Sequence, residues 1–239
     1  MNINIIKHGR GVPVVFFHGW GFDHHIWLPL IEPLGERYQL ILVDLPGFGS
    51  TPWLNWSKFK NKLLTQLPAS FALVGWSLGG LYAQRLAIEE PSRISSLLSI
   101  TASPRFIADE SWPAVPKEVF NHFYNNLSLD LEKTLKDFIR LQVNKNKIIL
   151  PLGQRPSSEG LEQGLNTLEQ WDLRSALHDL NLPTCFMFAR LDPIAPAKIM
   201  EAMQKLYPHF DYVFFNRAAH MPFLSHTELF IEEFQRFIK

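Results

Sequence analysis

The chain lacks most of the features that would tie it to an oxidising compartment, a membrane or a polyanion. It has one cysteine, Cys185, so no intrachain disulfide can form. Within the apolar run Thr184-Cys185-Phe186-Met187-Phe188 that thiol reads as a small core residue. Lysine plus arginine number 23 and aspartate plus glutamate 23, so there is no excess charge of either sign to call for nucleic acid or an anionic surface. No apolar run approaches the ~20 residues of a transmembrane helix. The opening Met1-Asn2-Ile3-Asn4-Ile5-Ile6-Lys7 lacks the charged start and apolar centre of a secretory signal. Nor is there an internal repeat or a low-complexity tract. The nine histidines contain no H-E-x-x-H or other closely spaced ligand set, so no metal is expected. Gly47-Phe48-Gly49 lacks the remaining glycines of a dinucleotide site, so no organic cofactor is expected either. These absences lead us to expect a soluble, cytoplasmic, monomeric protein without nucleic-acid or membrane partners.

What is present points to an α/β fold. At 239 residues and 46% hydrophobic, the chain can build one large core, with room for an inserted subdomain. Six short apolar runs read as buried strands: Val12 to Phe17, Tyr38 to Asp44, Phe71 to Val74, Ile94 to Ile100, Cys185 to Phe188 and Tyr212 to Phe215. Helical patterns at Ile26 to Arg37, Leu81 to Glu90 and Ala197 to Leu206 fall between several of them. Such alternation predicts a mainly parallel sheet with helices on both faces. It stops between about 105 and 177, where strand runs disappear and Pro113, Pro116, Pro151 and Pro156 break helical stretches. In one of these, Leu131, Leu135, Phe138 and Gln142 share a face opposite Lys133, Lys136 and Arg140. Residues 1–104 and 177–239 are thus expected to form the core, and 105–176 a helical cap over the sheet's C-terminal edge, where open α/β sheets carry their ligands.

Gly75-Trp76-Ser77-Leu78-Gly79 has the form G-x-S-x-G and sits between a strand run and a helical run. Glycines in such a turn allow a strained serine to project its hydroxyl into a cleft. Ser77 is therefore the candidate nucleophile, and the Leu78 N–H, at a helix start, a candidate oxyanion donor. A serine hydroxyl needs a base. His220, on the loop after the last strand run, is the candidate, with a structural role as its alternative. His226 is read within Ser225-His226-Thr227-Glu228, a capping box expected to open the final helix and to leave His226 facing solvent. The orienting acid should follow a strand and precede the histidine. Asp192 satisfies both conditions, while Asp44 fits a structural turn and Asp211 precedes its strand. His18-Gly19-Trp20-Gly21 follows an early strand and offers the Trp20 N–H as second oxyanion donor, with the indole in the pocket wall. His18 reads as an organiser of that loop.

The order serine, aspartate, histidine resembles that of the α/β-hydrolase superfamily. Four stretches resemble, more narrowly, the pimeloyl-acyl-carrier-protein methyl ester esterases of biotin synthesis. They are His18 to Gly21, Asp44-Leu45-Pro46-Gly47-Phe48-Gly49-Ser50, Gly75 to Leu81, and His220-Met221-Pro222-Phe223-Leu224-Ser225-His226. Phe138-Ile139-Arg140-Leu141-Gln142 resembles that family's F-L-A-L-Q substrate-binding stretch, with Arg140 in place of the small residue. Trp171-Asp172-Leu173-Arg174 resembles the segment that closes its cap, and Ala189 stands where the family often has glycine. The resemblance implies hydrolysis of a pimeloyl methyl ester carried on acyl carrier protein. Trp20, Ser77, Leu78, residues 138–142 and His220 would contact that substrate. From Lys133 to Arg155 the charges are six basic (Lys133, Lys136, Arg140, Lys145, Lys147, Arg155) against one acidic, Asp137. Beside a pocket mouth such a patch would steer an acidic carrier protein; its alternative is an ordinary solvated face.

Overall fold

A computed structural model describes residues 2–143 and 148–239. Its centre is a seven-stranded sheet in the order β1-β3-β2-β4-β5-β6-β7. The strands are β1 (Ile5–Gly9), β2 (Val12–Phe17), β3 (Tyr38–Val43), β4 (Phe71–Trp76), β5 (Ile94–Ile100), β6 (Thr184–Ala189) and β7 (Asp211–Phe215). All pairings are parallel except that of β1 with β3. The antiparallel edge strand β1 is an element the apolar-run reading omits. Its Ile5-Ile6-Lys7-His8-Gly9 is too polar to read as a buried run, and at the rim it needs only one covered face.

The inner strands are apolar at every position because both faces are covered. Along β2, Val15 and Phe17 join one core while Val14 and Phe16 join the other, as the two-residue period of a strand requires. On the first face lie α2 (Trp56–Leu64), α3 (Leu78–Glu89) and α8 (Ala197–Leu206). The second is covered by α1 (Ile31–Leu34), α10 (Thr227–Phe237) and the short α9 (Pro222–Ser225). Two local expectations need correcting. His24–Leu30 is a 3-10 helix rather than the start of one long α-helix, because Pro29 lies inside it and removes a backbone donor. The capping box does not form: α10 starts at Thr227 with no side-chain cap, and the Ser225 hydroxyl donates to the Met221 carbonyl.

Between β5 and β6 run α4 (Lys117–Leu129), α5 (Leu131–Val143), α6 (Ser158–Gln170) and α7 (Arg174–His178). The expected boundary at residue 176 falls within α7. Four polar ties fasten this insertion to the loops after β2 and β3. Gln154 N–H donates to Asp23 Oδ2 (2.8 Å), Gln154 Nε2 to Ser50 Oγ (3.0 Å), Ser157 Oγ to Gly47 O (2.8 Å) and Trp20 Nε1 to Leu161 O (2.8 Å). Both loops stand at the C-terminal ends of their strands. Among the described residues no helix is long and apolar enough to cross a membrane.

Candidate active site

Ser77 is the single residue between β4 and α3, with φ 55° and ψ −121°. A non-glycine residue held at positive φ stores strain, which surrounding bonds must overcome. Here Ser77 N–H donates to Ile100 O (3.0 Å), while Gly80 and Leu81 N–H donate to Ser77 O. Gly79 makes the turn possible sterically: a Cβ there would stand 2.3 Å from Phe17 O and 2.4 Å from His18 O. The helix start therefore lies against the end of β2, closer than any side chain permits.

His220 and Asp192 come together from separate loops, and both are buried. His220 Nδ1 lies 2.8 Å from Asp192 Oδ2. The other carboxylate oxygen accepts from the N–H groups of Ile194 (2.8 Å) and Ala195 (3.0 Å), so the acid is fixed by bonds on both sides. An acceptor facing Nδ1 assigns the proton to that nitrogen and leaves the Nε2 lone pair open. Nε2 is buried without a hydrogen-bond partner among the described residues. The His220 carbonyl accepts from Trp76 Nε1 (2.8 Å) and Thr101 Oγ1 (3.0 Å), and the Trp76 ring lies 5.6 Å from the imidazole. The residue before Ser77 thus touches the histidine directly.

The other candidate acids lie apart from this pair. Asp44 binds Asn4 Nδ2, Ser50 N–H and the N–H and Nδ1 of His24. Burial opposes its charge, yet the hydrogen bonds from His24 and from the Ser50 N–H outweigh burial and hold its carboxyl well below the usual range. Asp211 is exposed at the start of β7. His226 is partly buried against the Ser225 hydroxyl, not turned fully to solvent.

His18 organises the loop after β2. Its Nε2 accepts from Leu45 N–H (2.9 Å), so Nδ1 carries the proton and donates to Gly19 O (2.8 Å). Burial lowers its pKa and keeps the ring neutral, against the pull of Asp44. Among the described residues, no backbone carbonyl accepts from the N–H of Trp20 or of Leu78. Further along, Asp23, His24 and His25 bring potential ligand atoms within 4.8 Å of one another, a proximity the spacing rules did not anticipate. Those atoms are already bonded: His25 Nδ1 and N–H to Asp23 within the group, and His24 Nδ1 to Asp44 outside it.

Ser77 opens on a cavity of about 110 Å³ whose other lining residues are apolar, among them Trp20, Phe120, Phe123, Phe138 and Leu168. A strained serine, an imidazole tied to a carboxylate and an apolar cavity form a set suited to nucleophilic acyl transfer.

A family model described as "alpha/beta hydrolase fold" matches residues 12–227. The chain belongs to the α/β-hydrolase family. A Legionella pneumophila (strain Paris) protein named pimeloyl-[acyl-carrier protein] methyl ester esterase is 60% identical over 239 residues, all of both chains. One of the same name from Aliivibrio salmonicida is 35% identical, covering 97% of this chain and 94% of that protein. Among solved structures, an esterase from Exiguobacterium antarcticum superposes with a TM-score of 0.91 at 24% identity, covering 98% of this chain and 94% of that one. At that identity the likeness shows the fold alone.

In this α/β hydrolase the stretch 138–142 divides by helix phase. Phe138 and Leu141 line the Ser77 cavity, and Phe138 packs edge-on against Trp20 at 5.2 Å. Ile139 packs against the second core, and Gln142 is buried with Nε2 on Phe138 O. Arg140 is exposed. The expected basic patch is narrower in three dimensions than in sequence. Lys133 pairs with Asp137 at 2.8 Å, and Arg155 pairs with Glu132, just before the counted window, at 2.6 Å. Lys145 and Lys147 lie outside the described residues. Lys136 and Arg140 make no ion pair among the described residues. Both line an outer groove of about 540 Å³ that shares Phe138 with the inner cavity. Sequence reasoning missed the rest of the cavity wall, including Val119, Phe120 and Phe123 of α4 and Ile194 beside the acid. The spacing of Phe120 and Phe123 was the available signal, but a core-facing helix has the same pattern.

Proposed function

We propose that this chain is a serine carboxylesterase that hydrolyses the methyl ester of a pimeloyl group on acyl carrier protein, releasing methanol, in the cytoplasm. The observation that carries the reading is Ser77 as the one hydroxyl on an otherwise apolar cavity, in a fold that buries a His220–Asp192 pair. Full-length identity of 60% to proteins of that name supports the substrate.

In this reading His220 Nε2 takes the Ser77 proton as Oγ attacks the ester carbonyl, and Asp192 stabilises the resulting imidazolium. The N–H groups of Trp20 and Leu78 receive the oxyanion. His220 then protonates the departing methoxide, and methanol leaves an acyl-serine. Water, deprotonated by the same imidazole, cleaves the acyl-enzyme and restores Ser77. Segment 105–176 serves as a cap: Phe138 and Leu141 hold the carbon chain, and the outward Lys136 and Arg140, with Lys133 and Arg155, face the acidic carrier. Pairing of Lys133 and Arg155 with carboxylates favours a second reading, an esterase for small free esters.

The test is incubation with pimeloyl-carrier methyl ester, measuring methanol and free carboxylate. Wild type is expected to turn over, and Ser77→Ala to lose ~10⁴-fold or more in kcat. Equal efficiency on small free esters would select the second reading. Substantial activity in the alanine variant would remove Ser77 from the mechanism.

A further inference from the structure

Thr101, immediately after β5, has φ +43°. A β-branched residue in this left-handed region is a backbone outlier, and glycine there would carry no such strain. Such strain persists only where surrounding bonds hold it, and it is a pointer to function rather than proof of one. Thr101 N–H donates to Met187 O (2.8 Å), and its buried hydroxyl donates to the His220 carbonyl (3.0 Å). With Trp76 Nε1 on the same carbonyl, both acceptor positions of that oxygen are used. The residue before Thr101 grips the other partner: Ile100 O accepts the Ser77 N–H at 3.0 Å. Two consecutive residues at the end of β5 therefore hold the backbone of the serine and the backbone of the histidine.

We propose that Thr101 is a positioning residue, whose hydroxyl fixes the His220 backbone and with it the approach of Nε2 to Ser77 Oγ. The strained backbone is retained because this hydroxyl must reach the His220 carbonyl from the position next to Ile100. The proposal rests on the reading of Ser77 and His220 as nucleophile and base.

Three variants of the full chain separate this from a purely structural role. Thr101→Ser keeps the hydroxyl, Thr101→Val keeps the shape without the donor, and Thr101→Gly removes both the donor and the strain. The measurements are kcat and KM on p-nitrophenyl butyrate, the melting temperature, and the low-field Nδ1–H proton resonance of His220. Thr101→Ser is expected to stay within about twofold of wild-type kcat, and the other two to lose roughly 10- to 100-fold with KM little changed. Thr101→Gly is expected to melt at or above the wild-type temperature despite its lost activity, because relief of strain offsets the lost bond. The imidazole resonance shifts or broadens in the valine and glycine variants and holds in the serine variant. Wild-type kcat and resonance in Thr101→Gly would overturn the proposal, as would activity that simply follows melting temperature across the series. Should Thr101→Val fail to fold, the serine and glycine variants carry the comparison. If wild type hydrolyses no ester, it is the esterase reading that fails, and the imidazole resonance alone decides the part played by Thr101.

Discussion

The sheet and the inserted helices solve different problems with different materials. Around Ser77, Asp192 and His220 nearly every polar contact is a short bond to backbone, and the strands behind them are sealed on both faces. The insertion instead leaves Val119, Leu129, Leu141, Ile149 and Leu152 exposed, five of the eight large hydrophobic side chains so placed among the described residues. Its attachment to the loops after β2 and β3 is a seam of four polar ties and aromatic edges such as Trp20 on Phe123 and Phe138. Acyl transfer tolerates little misplacement, so the reacting groups need a scaffold with no slack. A long apolar chain requires only surface and volume. If the proposed mechanism holds, the contrast teaches that the chemistry and the choice of substrate are held by separate parts of the chain.

The strongest way to break the contrast is to loosen the rigid half. Gly79→Ala sets a methyl 2.3 Å from Phe17 O, which is backbone and cannot turn aside. Destabilisation of ~3 kcal/mol is expected, a fall in melting temperature of roughly 6–12 °C. Because the intruding atom separates the elbow from β2, kcat should fall even below the melting range. Calorimetry with a chromogenic ester assay checks both. Unchanged stability would mean that the elbow has slack after all.

Legibility in the sequence follows the same division. Ser77, His220 and Asp192 could be picked out as candidates because each lies where a strand run gives way to a loop, and chain order ranked the alternatives. The parallel sheet was readable because strands covered on both faces must be apolar throughout. Edge strand β1 was not, since one exposed face removes that signal. Pro29 reset the helix geometry at His24–Leu30, and the Ser225 box was outcompeted by a bond back to Met221. In the insertion the amphipathic phase of α5 was visible, but the partner of each charge was not. Arg155 meets Glu132 only once the chain has folded back, which no spacing rule encodes.

A smaller effect is expected from the insertion's surface. Lys136→Glu with Arg140→Glu reverses two exposed charges on the outer groove. On a carrier-linked ester, kcat/KM is expected to fall about tenfold at low salt, with the gap closing as salt rises. On p-nitrophenyl butyrate the double variant should match wild type, since neither side chain lines the Ser77 cavity. Equal losses on both substrates would mean that the surface does not choose the partner.

The smallest effect concerns the seam between the halves, where His24 meets Asp44 at 2.8 Å beside the Asp23–Gln154 tie. The hydrogen bond to Asp44 raises the His24 pKa above its ordinary 6.5, against the opposing effect of burial. A raised imidazole stabilises the fold fully below its unfolded value and ceases to do so as pH climbs through the folded one. Asp44 has the opposite sign: its lowered carboxyl gives stability above the ordinary 3.8 that fades as pH falls below it. The pair therefore contributes most between those limits. His18, lowered mainly by burial, costs stability below 6.5. That burial cost is common to wild type and variant, while loss of the His24 charge removes a lesser part of it and so trims the deficit at low pH. His24→Asn keeps a donor and removes the charge. Its deficit in urea unfolding should be about 1 kcal/mol near pH 5 and shrink as pH rises above 6.5 through the raised folded value. A deficit that grew with pH would give the seam the wrong sign. If the deficit follows this course while kcat on the free ester stays equal in variant and wild type at each pH, the chemical half is insulated from the attachment of its cap.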